Sequence, residues 1–436
     1  MRKERRTRRG ILAASLLCIG MLSGCLTAET ETLPQDKALR DETAGTETLP
    51  EDGASRDETA EATFLQDAAQ NMRENIENFR ERIAGGAERA ETEAPETEGE
   101  DAGQDFGALH AGRYVYGTLT ETEQRVYQEI YRALQQYEEE ITVSTKDKRL
   151  LDRAYDAVYA DYGELFWSSG YTYTEYTLAG NVRELKFAPK YMMGREEKER
   201  TQQQIDGVVQ GILAQAPAGG TDYDRALYVY EYLIEHVEYD AGAADNQNIV
   251  SVFLNGRTVC EGYARASQYL LECLGIQSAV VGGMAKGDFH AWNLVRLDGA
   301  YYYMDTTWGD NADGTTQGGA ETYINYTYFA VTTDELFRTH TPSQTIELPE
   351  CTATQDNYYV KNGLYIAEGM EAASAALKAH YEAGDASVSL KFSTEALYHV
   401  AYTQWIDDSG IFDLCGGLTN LYYFEDRTML VLTFLF

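Results

Sequence analysis

Apolar positions along the chain alternate between two periods, and the switches mark its elements. Val126, Ile130, Tyr131, Leu134 and Tyr137 recur at helical spacing behind Thr120-Glu121-Thr122-Glu123, a capping-box pattern. Helical spacing also runs through 148–166, 196–214 and 222–237. A further helix opens at Cys260, carries Tyr263, Ala264, Ala266, Leu270 and Leu271, and ends at Leu274-Gly275. Segments 171–176, 184–187, 278–281, 289–297 and 300–306 read as strands, and 323–331 as the last strand of this region. Beyond Pro349 the pattern gives strand 357–366, helix 370–381, strand 387–392, helix 395–405 and strands 422–425 and 429–436. The charge-free run 430–436 predicts a buried central strand.

The pattern divides the chain into four parts. Residues 1–25 hold six basic residues followed by a short apolar run over 11–21, the form of an export signal. Leu22-Ser23-Gly24-Cys25 resembles a bacterial lipobox, which implies cleavage before Cys25 and a lipid on its sulfur. Residues 26–107 form an acidic tether with 23 acidic and 7 basic side chains. It repeats at 16 residues, Glu31-Thr32-Leu33-Pro34 returning as Glu47-Thr48-Leu49-Pro50. Such sequence buries too little apolar area to fold, and its like charges extend it. A short amphipathic stretch, 64–83, interrupts it. Residues 108–345 are read as the main domain with a helical N-terminal part, and 346–436 as a small α+β domain.

Charge narrows the partners. The net charge is −35 over 436 residues, and the part after the tether is itself acidic. Phosphate backbones need basic surface, so nucleic acid is excluded as a partner, and docking onto anionic lipid is disfavoured. Contact with a membrane is expected through the N-terminal lipid. The cysteines have no zinc spacing, and neither metal nor cofactor is called for. Asp310-Asn311-Ala312-Asp313-Gly314 lacks the ligand spacing of a calcium loop. Cys273 is read as inert core, and Cys351 and Cys415 as a pair that could bridge. His110, His236, His340, His380 and His399 have no acidic or thiol context that marks a site and are read as structural or exposed. The 33 tyrosines are read as covering helix and strand faces.

Three short contexts carry the chemistry: Thr258-Val259-Cys260-Glu261-Gly262-Tyr263-Ala264, Phe289-His290-Ala291-Trp292-Asn293 and Tyr303-Met304-Asp305-Thr306-Thr307-Trp308. A thiol, an imidazole and a carboxylate suffice for nucleophilic catalysis. Cys260 falls in the first turn of its helix, where unpaired N–H groups and the dipole favour a thiolate and can hold an oxyanion. Asp298-Gly299 predicts a two-residue hairpin turn. With Leu297 opposite Ala300, Asp305 stands opposite Trp292, and His290 and Asp305 become diagonal neighbours roughly 7–8 Å apart at the backbone. Sequence spacing alone does not bring Cys260 to that face.

The segment from about 222 to 308 resembles the transglutaminase-like superfamily, a papain-like fold of cysteine enzymes. Cys-Glu-Gly-Tyr-Ala at 260–264, His-Ala-Trp-Asn at 290–293 and Asp-Thr-Thr-Trp at 305–308 carry the likeness. It implies an α+β core with the nucleophile at a helix N-terminus packed on an antiparallel sheet. Cys260 would be nucleophile, His290 general base and acid, and Asp305 the orienter. Trp292 would pack beside the imidazole, and Trp292 and Asn293 would support substrate or an oxyanion. The animal cross-linking enzymes have Trp directly after the nucleophile, where this chain has Glu261, and that departure weighs against cross-linking. The expected function is a surface-anchored thiol enzyme acting on amide bonds of extracytoplasmic peptides or proteins, cell-wall peptides included. The alternative is a non-catalytic lipoprotein that binds peptide or glycan through the same cleft.

Overall fold

The computed structural model describes residues 109–310 and 323–436, together with the backbone of Arg5 and Arg6. Those two arginines apart, the targeting segment with Cys25, the tether 26–107 with its stretch 64–83, and loop 311–314 lie outside the described residues.

Helix α1 (Glu121–Gln136) begins where the capping box predicts. The Thr120 hydroxyl accepts from the Glu123 N–H, and the Glu123 carboxylate accepts from the Thr120 N–H. After β1 (Ile141–Thr142), Asp147 caps α2 (Lys148–Asp161), which ends five residues short of the span read from sequence. β2 (Ser168–Leu178) and β3 (Asn181–Tyr191) form an antiparallel hairpin, and β1 joins the far side of β3. Helices α3 (Arg195–Leu213) and α4 (Asp222–His236) follow, the second opened by a Thr221/Asp224 capping box.

The next elements position the candidate site. Helix α5 (Cys260–Cys273) leads into strands β4 (Ser278–Ala285), β5 (Asp288–Leu297) and β6 (Ala300–Met304). Asp298 and Gly299 both adopt positive φ, 46° and 96°, as a two-residue hairpin turn of this hand requires. Leu297 consequently pairs with Ala300, and Asn293 with Met304. β6 stops at Met304 because Asp305 caps the one-turn helix α6 (Thr306–Gly309). Strand β7 (His340–Pro342) adds to the other edge, giving the antiparallel order β7-β4-β5-β6.

The C-terminal part builds a second sheet, ordered β8 (Tyr365–Ile366), β9 (Ser387–Phe392), β11 (Val431–Leu435), β10 (Tyr422–Asp426). Helices α7 (Met370–Ala383) and α8 (Glu395–Tyr402) accompany it. The charge-free run is a central strand, as expected. Two other strand expectations fail. Segment 323–331 contains a 3-10 turn, Tyr326–Tyr328, and meets the sheet only through a Tyr303–Val331 bridge. Its aromatic side chains pack into the core without a ladder. Segment 357–366 starts as a helical turn, Tyr358–Lys361, because the Asn357 side chain caps it, and only Tyr365–Ile366 is strand.

The two faces of the β7-β4-β5-β6 sheet serve different cores. Val295, Leu297, Tyr302 and Met304 pack with the N-terminal helices and hairpin. Trp292, Leu294 and Tyr303 pack with Leu390, Phe392, Leu432 and Phe434 of the C-terminal sheet. Central strand β5 is therefore buried on both sides. Among the described residues, no helix is long and apolar enough to cross a membrane.

Candidate active site

Cys260 is the first residue of α5 and is partly exposed. The residue before it, Val259, sits at the N-cap position in extended conformation and supplies no side-chain hydrogen bond. The loop behind it is tied down by a short chain of hydroxyls. Ser251 Oγ donates to Thr258 Oγ1 at 2.8 Å, and Thr258 Oγ1 donates to the Asn246 carbonyl at 2.8 Å. Gly262 packs directly on this tie, since a Cβ there would overlap Thr258 Oγ1 and lie 3.0 Å from Asn246 O. That contact is the physical reason for glycine in Cys-Glu-Gly-Tyr. Glu261 and Arg265 form a buried ion pair one turn apart, 2.7 Å between Nη2 and Oε1.

His290 lies on β5 and is buried. Its Nε2 is 2.7 Å from Asp305 Oδ2, the diagonal contact the hairpin register predicts. The Cys260 thiol lies near enough to the imidazole to help, after Asp305, in raising its pKa. The three sequence-predicted residues therefore come together. Trp292 packs against the imidazole, ring centroids 6.1 Å apart and planes 26° from parallel. Asn293 does not face this cleft. It is fully buried, and its Nδ2 donates to the Ala264 carbonyl at 2.9 Å, pinning β5 to α5. Strand alternation puts it on the face opposite His290, so the expected support of substrate or oxyanion gives way to a structural bond.

One member of the site escaped the sequence. His340, on edge strand β7, places Nε2 3.0 Å from the same Asp305 Oδ2. Its expected lack of an acidic partner is thus wrong: the partner lies 35 residues upstream. The available sign was Thr-His-Thr-Pro at 339–342, a short extended stretch that Pro342 marks as an edge. His380 and His399 also have carboxylate neighbours, Asp385 and Glu395, but at the surface. The other cysteine readings change too. Cys273 is exposed rather than core, and Cys351 and Cys415 are separate buried thiols.

Asp305 divides its oxygens. Oδ1 accepts from the Trp308 N–H at 3.2 Å and caps α6, while Oδ2 takes both imidazoles. Burial opposes its charge, but His290, by charge and hydrogen bond, and then His340 hold the carboxyl well below the usual carboxylate range. Burial likewise opposes a charged imidazole at His290. Asp305 and then Cys260 outweigh it and raise His290 to about 10. A cationic imidazole beside a thiol favours the thiolate. The ligating atoms of His290, Asp305 and His340 lie within 4.8 Å of one another, a spacing a metal ion could bridge. Hydrogen bonds already account for the cluster.

Residues 212–306 match the transglutaminase-like superfamily model. The chain thus carries a transglutaminase-like domain within a mixed α+β structure. Human kyphoscoliosis peptidase is 26% identical over 183 residues, spanning 37% of this chain and 27% of that protein. The mouse kyphoscoliosis peptidase is 28% identical over 142 residues, 29% of this chain and 21% of that protein. The chain thus spans about a quarter of the length of the curated relatives it matches. A solved structure described as a TGase aligns with a TM-score of 0.24 at 15% identity, covering 36% of this chain and 47% of that one.

Proposed function

We propose that the protein is a thiol enzyme that breaks amide bonds through a thioester on Cys260. One observation carries the reading: the buried His290 imidazole is held by Asp305 through Nε2 and lies near the Cys260 thiol, which helps raise its pKa. In the reaction, Cys260 Sγ attacks the amide carbonyl carbon while His290 holds the thiol proton. The oxyanion forms at the start of α5, where Val259 leaves the first-turn N–H groups without a side-chain cap. His290 returns the proton to the departing amine, and the acyl group stays on sulfur. Water, deprotonated by His290, then releases an acid, or an amine releases a new amide. The human and mouse relatives are named peptidases, which favours water as the acceptor.

The same proposal places the enzyme outside the cytoplasm, held by lipid on Cys25 and spaced from the membrane by the acidic tether, acting on surface or cell-wall peptides. The basic start, apolar run and Leu-Ser-Gly-Cys sequence support it. The test is alkylation of the full chain by iodoacetamide, read by peptide mass spectrometry. Cys260 should react far faster than exposed Cys273 and lose that advantage in His290→Ala. Equal rates at the two thiols would reject the enzyme reading. Metabolic labelling with an alkyne fatty acid, lost in Cys25→Ala, tests the anchor.

A further inference from the structure

We propose that His340 is a positioning residue of this site, a second imidazole whose Nε2–H holds Asp305 ionised and fixed so that Asp305 can orient His290. The inference rests on the thiol-enzyme reading above.

The Asp305 side chain has no exposed surface, and burial by itself favours a neutral carboxyl. A neutral carboxyl would have to place its proton on an oxygen, and on Oδ2 that proton would displace one of two ring N–H donors. Oδ1 faces the Trp308 N–H, and Oδ2 faces Nε2 of His290 at 2.7 Å and Nε2 of His340 at 3.0 Å. An ionised carboxylate accepts all three bonds, which requires a proton on Nε2 of each ring. For His290 that choice leaves Nδ1 as the nitrogen that takes the Cys260 proton. For His340 it leaves Nδ1 facing Thr339 Oγ1 at 2.8 Å, a hydroxyl that also lies 3.2 Å from the Leu336 carbonyl. His340 is thereby bonded at both ring nitrogens and has no exposed side-chain surface.

The surroundings hold the ring in that role. Trp308, Trp292 and Tyr328 pack around it at centroid distances of 4.5, 4.9 and 5.7 Å. The titratable and charged groups facing it are few. They are Asp305 and His290 directly, Tyr328 with its partner Asp426, and Lys286 across the Trp308 ring. None but Asp305 offers the Nε2–H an acceptor. His340 bonds Asp305 and Thr339, not the thiol, so it acts through Asp305 rather than on substrate. A larger apolar side chain would fill the same space and supply no proton.

The test is the pH profile of Cys260 alkylation by iodoacetamide in the full chain, with thermal unfolding as a control. His340→Leu removes the donor and should slow alkylation near pH 5 by about ten-fold or more while moving the acid limb upward, because Asp305 then protonates sooner. His340→Gln, whose amide N–H can reach Asp305, should recover most of the rate and the original limb. A folded His340→Leu chain with an unmoved acid limb would overturn the proposal. Nitrogen-15 histidine spectra of the unaltered chain cover a variant that does not fold. They should find a proton on His340 Nε2 from pH 5 to 8, and an unprotonated Nε2 there overturns it too. The two readings fail separately. A Cys260 rate that ignores His290→Ala sinks the enzyme reading and this one with it, whereas a His290-dependent rate indifferent to His340→Leu sinks only this one.

Discussion

Asn293 Nδ2 donates to the Ala264 carbonyl at 2.9 Å, joining the strand that carries His290 to the helix that begins at Cys260. Thiol and imidazole belong to elements with no shared ladder, so their spacing depends on such cross-ties. A second tie, Ser267 Oγ to Thr306 Oγ1 at 2.9 Å, joins the same helix to the turn after Asp305. Replacing Asn293 with Ala should destabilise the fold by about 1–3 kcal/mol through the lost bond and the space left behind. It should also slow Cys260 alkylation, although Asn293 touches neither thiol nor imidazole. Urea unfolding and the alkylation rate, measured together, check this. A variant of unchanged stability and rate would remove the tie from the account.

The ion pair under the thiol makes a different prediction. Glu261 and Arg265 are both buried, and Arg265 Nη1 also donates to the Tyr159 carbonyl at 3.3 Å. Arg265→Met strands the Glu261 carboxylate without its cation, which should cost about 3–5 kcal/mol. Adding Glu261→Gln should restore much of that loss, because the double change removes the unpaired charge. A single variant as stable as the parent would show that the carboxylate reaches water or another donor.

The sequence made much of this site legible, and the limits have local causes. Asp298-Gly299 set the hairpin register, and the register set the His290–Asp305 diagonal, because both strands run unbroken from a turn of known geometry. The capping boxes at Thr120 and Thr221 worked for the same reason: each is a local bargain between neighbours in sequence. His340 was not legible. Its strand is three residues long, too short for a period, and its partner comes from a remote element. Segment 323–331 misled because Tyr328 and Phe329 are buried by the cores on either side of them, not by alternation in a sheet. Cys273 misled because the last residue of a helix faces whatever follows it, here solvent.

The His290–Asp305 pair predicts a sign for stability against pH. His290 is raised from an ordinary 6.5 to about 10 in the fold, so its contribution is complete below about 6.5 and fades as pH rises toward 10. Asp305 is lowered from 3.8, so its contribution is complete above about 3.8 and is lost only in strong acid. The stability difference between the parent and Asp305→Asn should therefore be widest near pH 4–6.5 and shrink toward pH 10. Urea midpoints across that range measure it. A gap that widens with pH would mean that His290 is neutral in the folded protein. The same substitution should lower kcat/KM by a factor on the order of 10² to 10⁴, since the imidazole loses the group that selects its tautomer.

The start of α5 offers the last test, because there stability and chemistry pull apart. Valine is a poor N-cap residue, yet Val259 holds that position before Cys260 with φ −117° and ψ −177°, an extended backbone a capping threonine also adopts. Val259→Thr nearly preserves the shape and places a hydroxyl where it can accept from the N–H of Glu261 or Gly262. The helix should gain about 0.5–1 kcal/mol. The thiolate and the oxyanion should lose by the same bond, because a first-turn N–H that serves a hydroxyl no longer faces the cleft. A higher thermal midpoint with slower alkylation and lower turnover is the expected result. If the variant gains stability and keeps its full rate, the open helix end contributes nothing to catalysis, and the oxyanion must be stabilised by other donors.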